Sequence, residues 1–113
     1  MTTLARPEDA GLLEEIAALV AEPAPTEHAG LLARMEDTLT VGYARALALE
    51  AERLRLERRI NSVAAELSAG GNRNDELAEL SRRASEADGA LSSLRKLLDT
   101  LRLRARELRA TAA

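Results

Sequence analysis

The chain has 113 residues, enough for one domain, and its apolar side chains are almost entirely aliphatic, since aromatic residues make up 1% of the sequence. The absence of cysteine excludes a disulfide framework and thiolate chemistry, and a formal net charge of −3 disfavours wholesale binding to nucleic acid. Alanine, leucine, glutamate and arginine dominate, a composition typical of long helices and coiled coils, so we expect an all-α fold.

The first predicted element is a short amphipathic helix that starts at Pro7. Proline suits the first turn of a helix, and the two acids that follow it suit the positive end of the helix dipole. Apolar residues then recur at helical spacing and form one face of the helix: Leu12, Leu13, Ile16, Leu19 and Val20. Because Pro23 and Pro25 forbid continuation, this helix should end near Glu22, and the segment 1–25 is predicted to fold back on the rest of the chain.

Residues 26–110 are predicted to form a long antiparallel helical hairpin, a coiled coil with its tip at 69–75. The first long helix carries a seam at spacings of three and four, in which only Gly42 and Arg53 are not apolar side chains: Leu32, Met35, Leu39, Gly42, Ala46, Leu49, Arg53, Leu56, Ile60, Val63 and Leu67. The second long helix carries an uninterrupted seam: Leu77, Leu80, Ala84, Ala87, Leu91, Leu94, Leu98, Leu101, Ala105 and Leu108. Such repeats indicate a coiled coil. With the N-terminal helix, the chain is predicted to be a single domain of three helices that dimerises into a larger bundle.

The ends of the long helices are predicted from turn and cap residues. Gly70 or Gly71 should adopt the left-handed conformation that ends the first long helix. Thr26 is the predicted N-cap of that helix, and Asn74 or Asp75 is the predicted N-cap of the next.

Folding the chain at this turn pairs the two seams, with small residues opposite large ones, such as Gly42 opposite Leu101. Arg53 then falls opposite Leu91. One interpretation is that the stem of Arg53 packs on the seam while its guanidinium reaches one of three acids: Glu50, Glu57 or Glu86. The alternative is that Arg53 determines the register or the partner, as buried polar residues do in coiled coils.

A second apolar line runs along the first long helix, away from the seam: Tyr43, Ala44, Leu47, Ala48, Ala51 and Leu54. The N-terminal helix is expected to run beside residues 28–41 and to stop near Tyr43, which leaves most of this line uncovered. An apolar face of this kind normally has a partner. We predict a homodimer, or binding of another helical protein, through four of these residues: Tyr43, Leu47, Ala51 and Leu54.

The tip of the hairpin leads to an alternative hypothesis. The tip carries the polar residues Asn72, Arg73, Asn74 and Asp75, and the segment 72–76 could act as a regulatory finger that inserts into a larger machine, such as a transcription or secretion complex. Polar residues are also what solubility alone requires at a turn.

The C-terminal end is basic, through Arg102, Arg104, Arg106 and Arg109. These side chains could contact nucleic acid or anionic lipid, or could pair with Glu14 and Glu15 of the N-terminal helix. No aromatic residue accompanies them for base stacking, so nucleic acid is a disfavoured partner.

No catalytic, cofactor-binding or metal-binding residues are predicted. His28 is the single histidine, expected at the surface near the start of the first long helix, and one histidine without cysteine forms neither a zinc site nor a catalytic pair. Phosphate-binding loops, dinucleotide fingerprints and nucleophile elbows are absent. There is no signal-peptide-like apolar region, and no apolar run approaches the roughly 20 residues that span a bilayer. The expected protein is a non-catalytic, cytoplasmic coiled-coil interaction module, an adaptor or scaffold.

Overall fold

The computed structural model describes residues 7–112 and contains three helices there: α1 (Pro7–Ala21), α2 (Ala29–Ser68) and α3 (Asn74–Ala112). No strand occurs within this range, which confirms the prediction of an all-α fold. The two long helices, of 40 and 39 residues, set the shape of the molecule, a rod with extents of 67 × 24 × 15 Å.

The helices α2 and α3 lie side by side in opposite directions. Arg95 binds Glu50 at 2.7 Å, and farther from the turn Arg109 binds Glu36 at 2.6 Å, so rising numbers in α3 meet falling numbers in α2. Every position of the two predicted seams is buried or half-buried. The 3–4 spacing in the sequence therefore identified the faces along which the two long helices meet.

Glycine ends α2 in the predicted way. Gly70 has φ 101°, a left-handed conformation that residues with a Cβ rarely adopt. Its N–H donates to the Leu67 carbonyl at 3.0 Å, and the N–H of Gly71 donates to the Glu66 carbonyl at 3.0 Å. These two bonds form a Schellman motif, which satisfies two carbonyls that the end of the helix would leave without partners.

The predicted N-cap of α2 was wrong. Thr26 lies in a bend that follows the second proline of the linker, and α2 begins at Ala29 instead. The first helical hydrogen bond runs from the Leu32 N–H to the His28 carbonyl at 2.9 Å, so His28 occupies the N-cap position. The chain is still turning at Thr26, and its side chain therefore cannot cap the helix.

The start of α3 also differs from the prediction by one residue. Asn74 and Asp75 lie inside the first turn rather than before it. The Leu77 N–H donates to the Arg73 carbonyl at 3.0 Å, which makes Arg73 the residue that precedes the helix. Asp75 still lies near the positive end of the helix dipole, where a carboxylate is stabilising.

The short helix α1 packs against both α2 and α3 at the end of the hairpin opposite the turn. It runs antiparallel to α2, because Asp9 binds Arg45 while Glu22 binds Arg34. It therefore extends slightly beyond the predicted stop near Tyr43. Its side chains join one apolar core with both long helices: Ile16, Leu19, Leu31, Met35, Leu49, Ala90, Leu91, Leu94, Leu98, Leu101, Ala105 and Leu108.

The half of the hairpin near the turn has a much thinner core. From residue 50 to residue 87, the buried apolar side chains are Val63, Leu80 and Ala87. Arginine–glutamate ion pairs also stabilise this half, but exposed pairs of that kind each contribute only about 0–1 kcal/mol. We infer that this half opens more readily than the three-helix half, since few buried apolar contacts hold it.

A close approach of the two long helices occurs at Gly42. A Cβ at this position would overlap the Leu98 side chain, which is 1% exposed. The sequence had placed Leu101 opposite Gly42, and the structure places Leu98, one turn earlier in α3, against it. A Cβ at residue 42 would therefore force the Leu98 side chain to move.

Replacing Gly42 with alanine should destabilise the protein. Overpacking a core costs about 1–3 kcal/mol, which exceeds the gain of about 1 kcal/mol in helix propensity. Gly89 is the matched control, because a Cβ there has no neighbour within 4 Å and Gly89→Ala should raise stability by up to about 1 kcal/mol. Thermal unfolding followed by circular dichroism measures both variants. Equal stabilisation by the two would contradict the close approach.

Candidate functional site

The second apolar line of α2 stays at the surface. Leu47 is 74% exposed, Tyr43 42% and Leu54 40%, and the three alanines of the line are exposed as well. α1 leaves them uncovered because it docks on another side of α2, the side that carries Thr38 and Arg45. We call the set of residues Tyr43, Ala44, Leu47, Ala48, Ala51 and Leu54 the α2 stripe.

A shallow groove borders the α2 stripe on the side of α3. Its volume is about 420 Å³, and six residues line it: Tyr43, Ala46, Leu47, Arg95, Leu98 and Asp99. The walls from α2 are apolar, while Arg95 and Asp99 place charges along the edge formed by α3. A groove of this form suits an aliphatic side chain from another helix, with polar groups at the rim.

A buried ion pair fixes α1 on α2, and the sequence analysis did not identify it. Arg45 donates from Nε to Asp9 Oδ1 at 2.5 Å and from Nη2 to Asp9 Oδ2 at 2.8 Å. Asp9 is 4% exposed, so this bidentate pair lies inside the interface. The signal was present, because Asp9 lies seven residues before Ile16 and so shares the apolar face of α1. A charge at such a position requires a partner.

The tip residues lie together as predicted, but they differ in exposure. Asn72, Asn74 and Asp75 are exposed, whereas Arg73 is half-buried and binds Glu66 and Glu76. The hydrogen bonds from Arg59 and then Arg73 lower the pKa of Glu76 below its usual range. Arg73 thus ties the end of α2 to the start of α3.

The guanidinium of Arg53 reaches two of the three acids that were expected, and a role in register or partner choice stays a prediction. Its guanidinium binds Glu50 at 2.5 Å and Glu57 at 2.7 Å, and Glu86 instead pairs with Arg82. Glu50 also accepts from Arg95 of α3, and the hydrogen bond from Arg53 is the main reason that the pKa of Glu50 is lowered. This network joins α2 to α3 beside the α2 stripe.

The four basic C-terminal residues differ in exposure. Arg102, Arg106 and Arg109 are exposed, whereas Arg104 is half-buried and donates from Nη2 to the Glu22 carbonyl at 2.6 Å, just beyond the end of α1. A guanidinium there complements the negative end of the helix dipole.

The predicted pairing of Glu14 and Glu15 with these arginines was wrong. Glu15 accepts a hydrogen bond from Thr38 at 3.3 Å, and none of the ion pairs within residues 7–112 joins either glutamate to the basic end. The reason is that Glu15 faces α2 and Glu14 faces solvent. The contact of the basic end with this region is made instead by Arg104, which binds the Glu22 carbonyl just beyond α1.

His28 is half-buried rather than a free surface residue. Its Nε2–H donates to the Leu108 carbonyl at 2.9 Å, because a carbonyl can only accept. This bond joins the start of α2 to the last turns of α3. The histidine therefore has a structural contact that the sequence did not indicate.

Within residues 7–112 no cluster of histidine, aspartate and glutamate side chains is suited to hold a metal ion. None of the described helices is long and apolar enough to cross a membrane. Comparison with protein-family models, with curated proteins and with solved structures finds no match to this chain.

Proposed function

We propose that the protein is a non-catalytic helical interaction module, an adaptor or scaffold, that associates with itself through the α2 stripe in the manner of a coiled coil. The observation that carries the proposal is the exposure of this stripe after α1 has docked. Single exposed leucines are ordinary, but Tyr43, Leu47 and Leu54 recur on one helical face.

The remaining apolar surface of α2 supports the same proposal. The core seam of α2 is covered by α3, and Leu31, Met35 and Leu49 are covered with the help of α1. On α2, the large apolar side chains that stay exposed are those of the α2 stripe and Val41, which is 58% exposed. Removing such side chains from water contributes about 25 cal/mol per Å² of apolar surface, which favours association.

The solution mass of the pure chain, measured by light scattering on a sizing column over a range of concentrations, tests self-association. We expect twice the chain mass of 12.2 kDa, with dissociation only on dilution. A mass of 12.2 kDa at every concentration would contradict the proposal.

A further inference from the structure

The face of α2 that carries the stripe has opposite charges at its two ends. Before the stripe lie Glu36 and Asp37, and after it lie Arg55 and Arg58, all of them exposed. Within the described residues, Asp37, Arg55 and Arg58 form no ion pair, whereas Glu36 binds Arg109. For Arg58 the reason is local, because no acid lies three or four residues away on either side.

These charges favour one relative orientation of two copies. A parallel pair would place the acidic end of one α2 beside the acidic end of the other, and the basic ends together. An antiparallel pair places Asp37 of each copy beside Arg58 of the second copy, so two symmetry-related ion pairs form. Like charges that face each other across an interface are unfavourable, so the parallel arrangement is disfavoured.

Tyr43 and Leu54 define the register of the antiparallel pair. If Tyr43 of one copy lies opposite Leu54 of the other, the two-fold axis passes between Ala48 and Leu49, which is also the midpoint of α2 (Ala29–Ser68). The two helices then overlap over their whole length. Next to the axis, the two copies of Leu47 lie about 4.5 Å apart along the helix direction, at about 1.5 Å per residue.

The surface beside the stripe fits the same register. The groove of about 420 Å³ beside Tyr43 and Leu47 lies where Leu54 of the second copy would enter. On the other flank, Ala44 lies two residues, about 3 Å along the axis, from the position opposite Ala51 of the second copy, and two small side chains let the backbones approach closely. Each contact forms twice, as an isologous interface requires.

From this agreement of charge, register and shape, we infer that the occupant of the α2 stripe is a second copy of this chain, antiparallel, with Tyr43 against Leu54 and Asp37 paired with Arg58. The inference rests on the proposed self-association and adds its geometry. Because the rods overlap fully, the dimer presents its two hairpin tips at opposite ends of one rod, beside the linker between α1 and α2 of the other copy.

A single spin label distinguishes the orientations. The chain has no cysteine, so Ser62→Cys provides a unique attachment site at an exposed position of α2. In the antiparallel dimer the two labels lie about 40 Å apart along the axis, whereas a parallel dimer brings them within about 15 Å. Double electron–electron resonance measures this distance. A short distance in a protein of dimer mass would overturn the antiparallel pairing and leave self-association intact, whereas a monomer mass for the unlabelled chain would overturn both.

Charge reversal tests the ion pairs independently. Asp37→Arg alone should raise the dimer dissociation constant about tenfold or more, because each copy then places arginine against arginine. Arg58→Asp alone should do the same. The double variant Asp37→Arg/Arg58→Asp restores opposite charges in the antiparallel dimer and should return the constant to within about threefold of the original. A double variant as weak as either single variant would overturn the assigned pairing.

Discussion

Replacing Leu47 and Leu54 together with glutamate should convert the dimer into a monomer with the fold intact. The proposed dimer would bury four of these leucines, and burying one leucine contributes about 1.5–3 kcal/mol, so the dissociation constant should rise by on the order of a thousandfold or more. Both side chains are largely exposed in the single chain, at 74% and 40%, so its stability should change little. Light scattering measures the mass, and circular dichroism measures the helix content.

The matched control for this variant is Leu103→Glu. Leu103 lies on α3, is 53% exposed and does not belong to the α2 stripe. It adds one negative charge on an exposed leucine, where the double variant adds two, and the protein should remain a dimer. If the control dissociates as fully as the double variant, net charge rather than the α2 stripe would be responsible. A double variant that remains dimeric would contradict the proposed surface.

Replacing Asp9 with alanine should cause the largest loss of stability of any single change to a polar side chain. Asp9 is 4% exposed and is the bidentate partner of Arg45, whose side chain is 16% exposed. Removing one member of a buried ion pair costs about 3–5 kcal/mol, and here two charge-assisted hydrogen bonds are lost inside the interface. Urea denaturation followed by circular dichroism measures the change in the free energy of unfolding.

A control for this prediction exists in the same interface. Arg34 and Glu22 also join α2 to α1, but their side chains are 59% and 38% exposed. Arg34→Ala should therefore cost less than about 1 kcal/mol. If Asp9→Ala and Arg34→Ala cost the same, the Asp9–Arg45 pair would have no special role in docking α1. The apolar double variant Asp9→Leu/Arg45→Met should be more stable than Asp9→Ala, since apolar side chains of similar volume can replace a buried ion pair.

The two predictions are linked by the position of α1. The Asp9–Arg45 pair holds α1 on one side of α2, and that placement leaves the α2 stripe exposed. If α1 were rotated toward the stripe, its own apolar face could cover Leu47. In the proposed dimer the buried pair would therefore act on association as well as on stability, because it helps to hold α1 away from the face of α2 that a second copy would use.

Much of the fold was predictable because periodicity is a local property of a helix. The 3–4 spacing identified both seams, and every seam position is buried or half-buried. Glycine at position 70 indicated the turn because a left-handed residue ends a helix there. The exposed stripe was also predictable, since its residues repeat along α2 away from the seam.

The local errors came from the ends of the helices. Thr26 was a plausible cap by residue type, but the chain after the linker prolines is still turning there and α2 begins at Ala29. Asn74 was expected before α3 and lies within it. Several residue types suit these positions, so the residue type alone does not determine where the backbone first becomes helical.

The sequence by itself therefore determined the three helices, the hairpin turn and the apolar faces, because each follows from spacing or backbone conformation within a short segment. The tertiary structure decided which polar groups meet: Asp9 with Arg45, Arg104 with the Glu22 carbonyl, and His28 with the Leu108 carbonyl. Arginine and histidine side chains can reach several acceptors around a helix. Their choice of partner depends on how α1 is rotated and placed against α2 and α3, and this rotation is set by packing of the whole core.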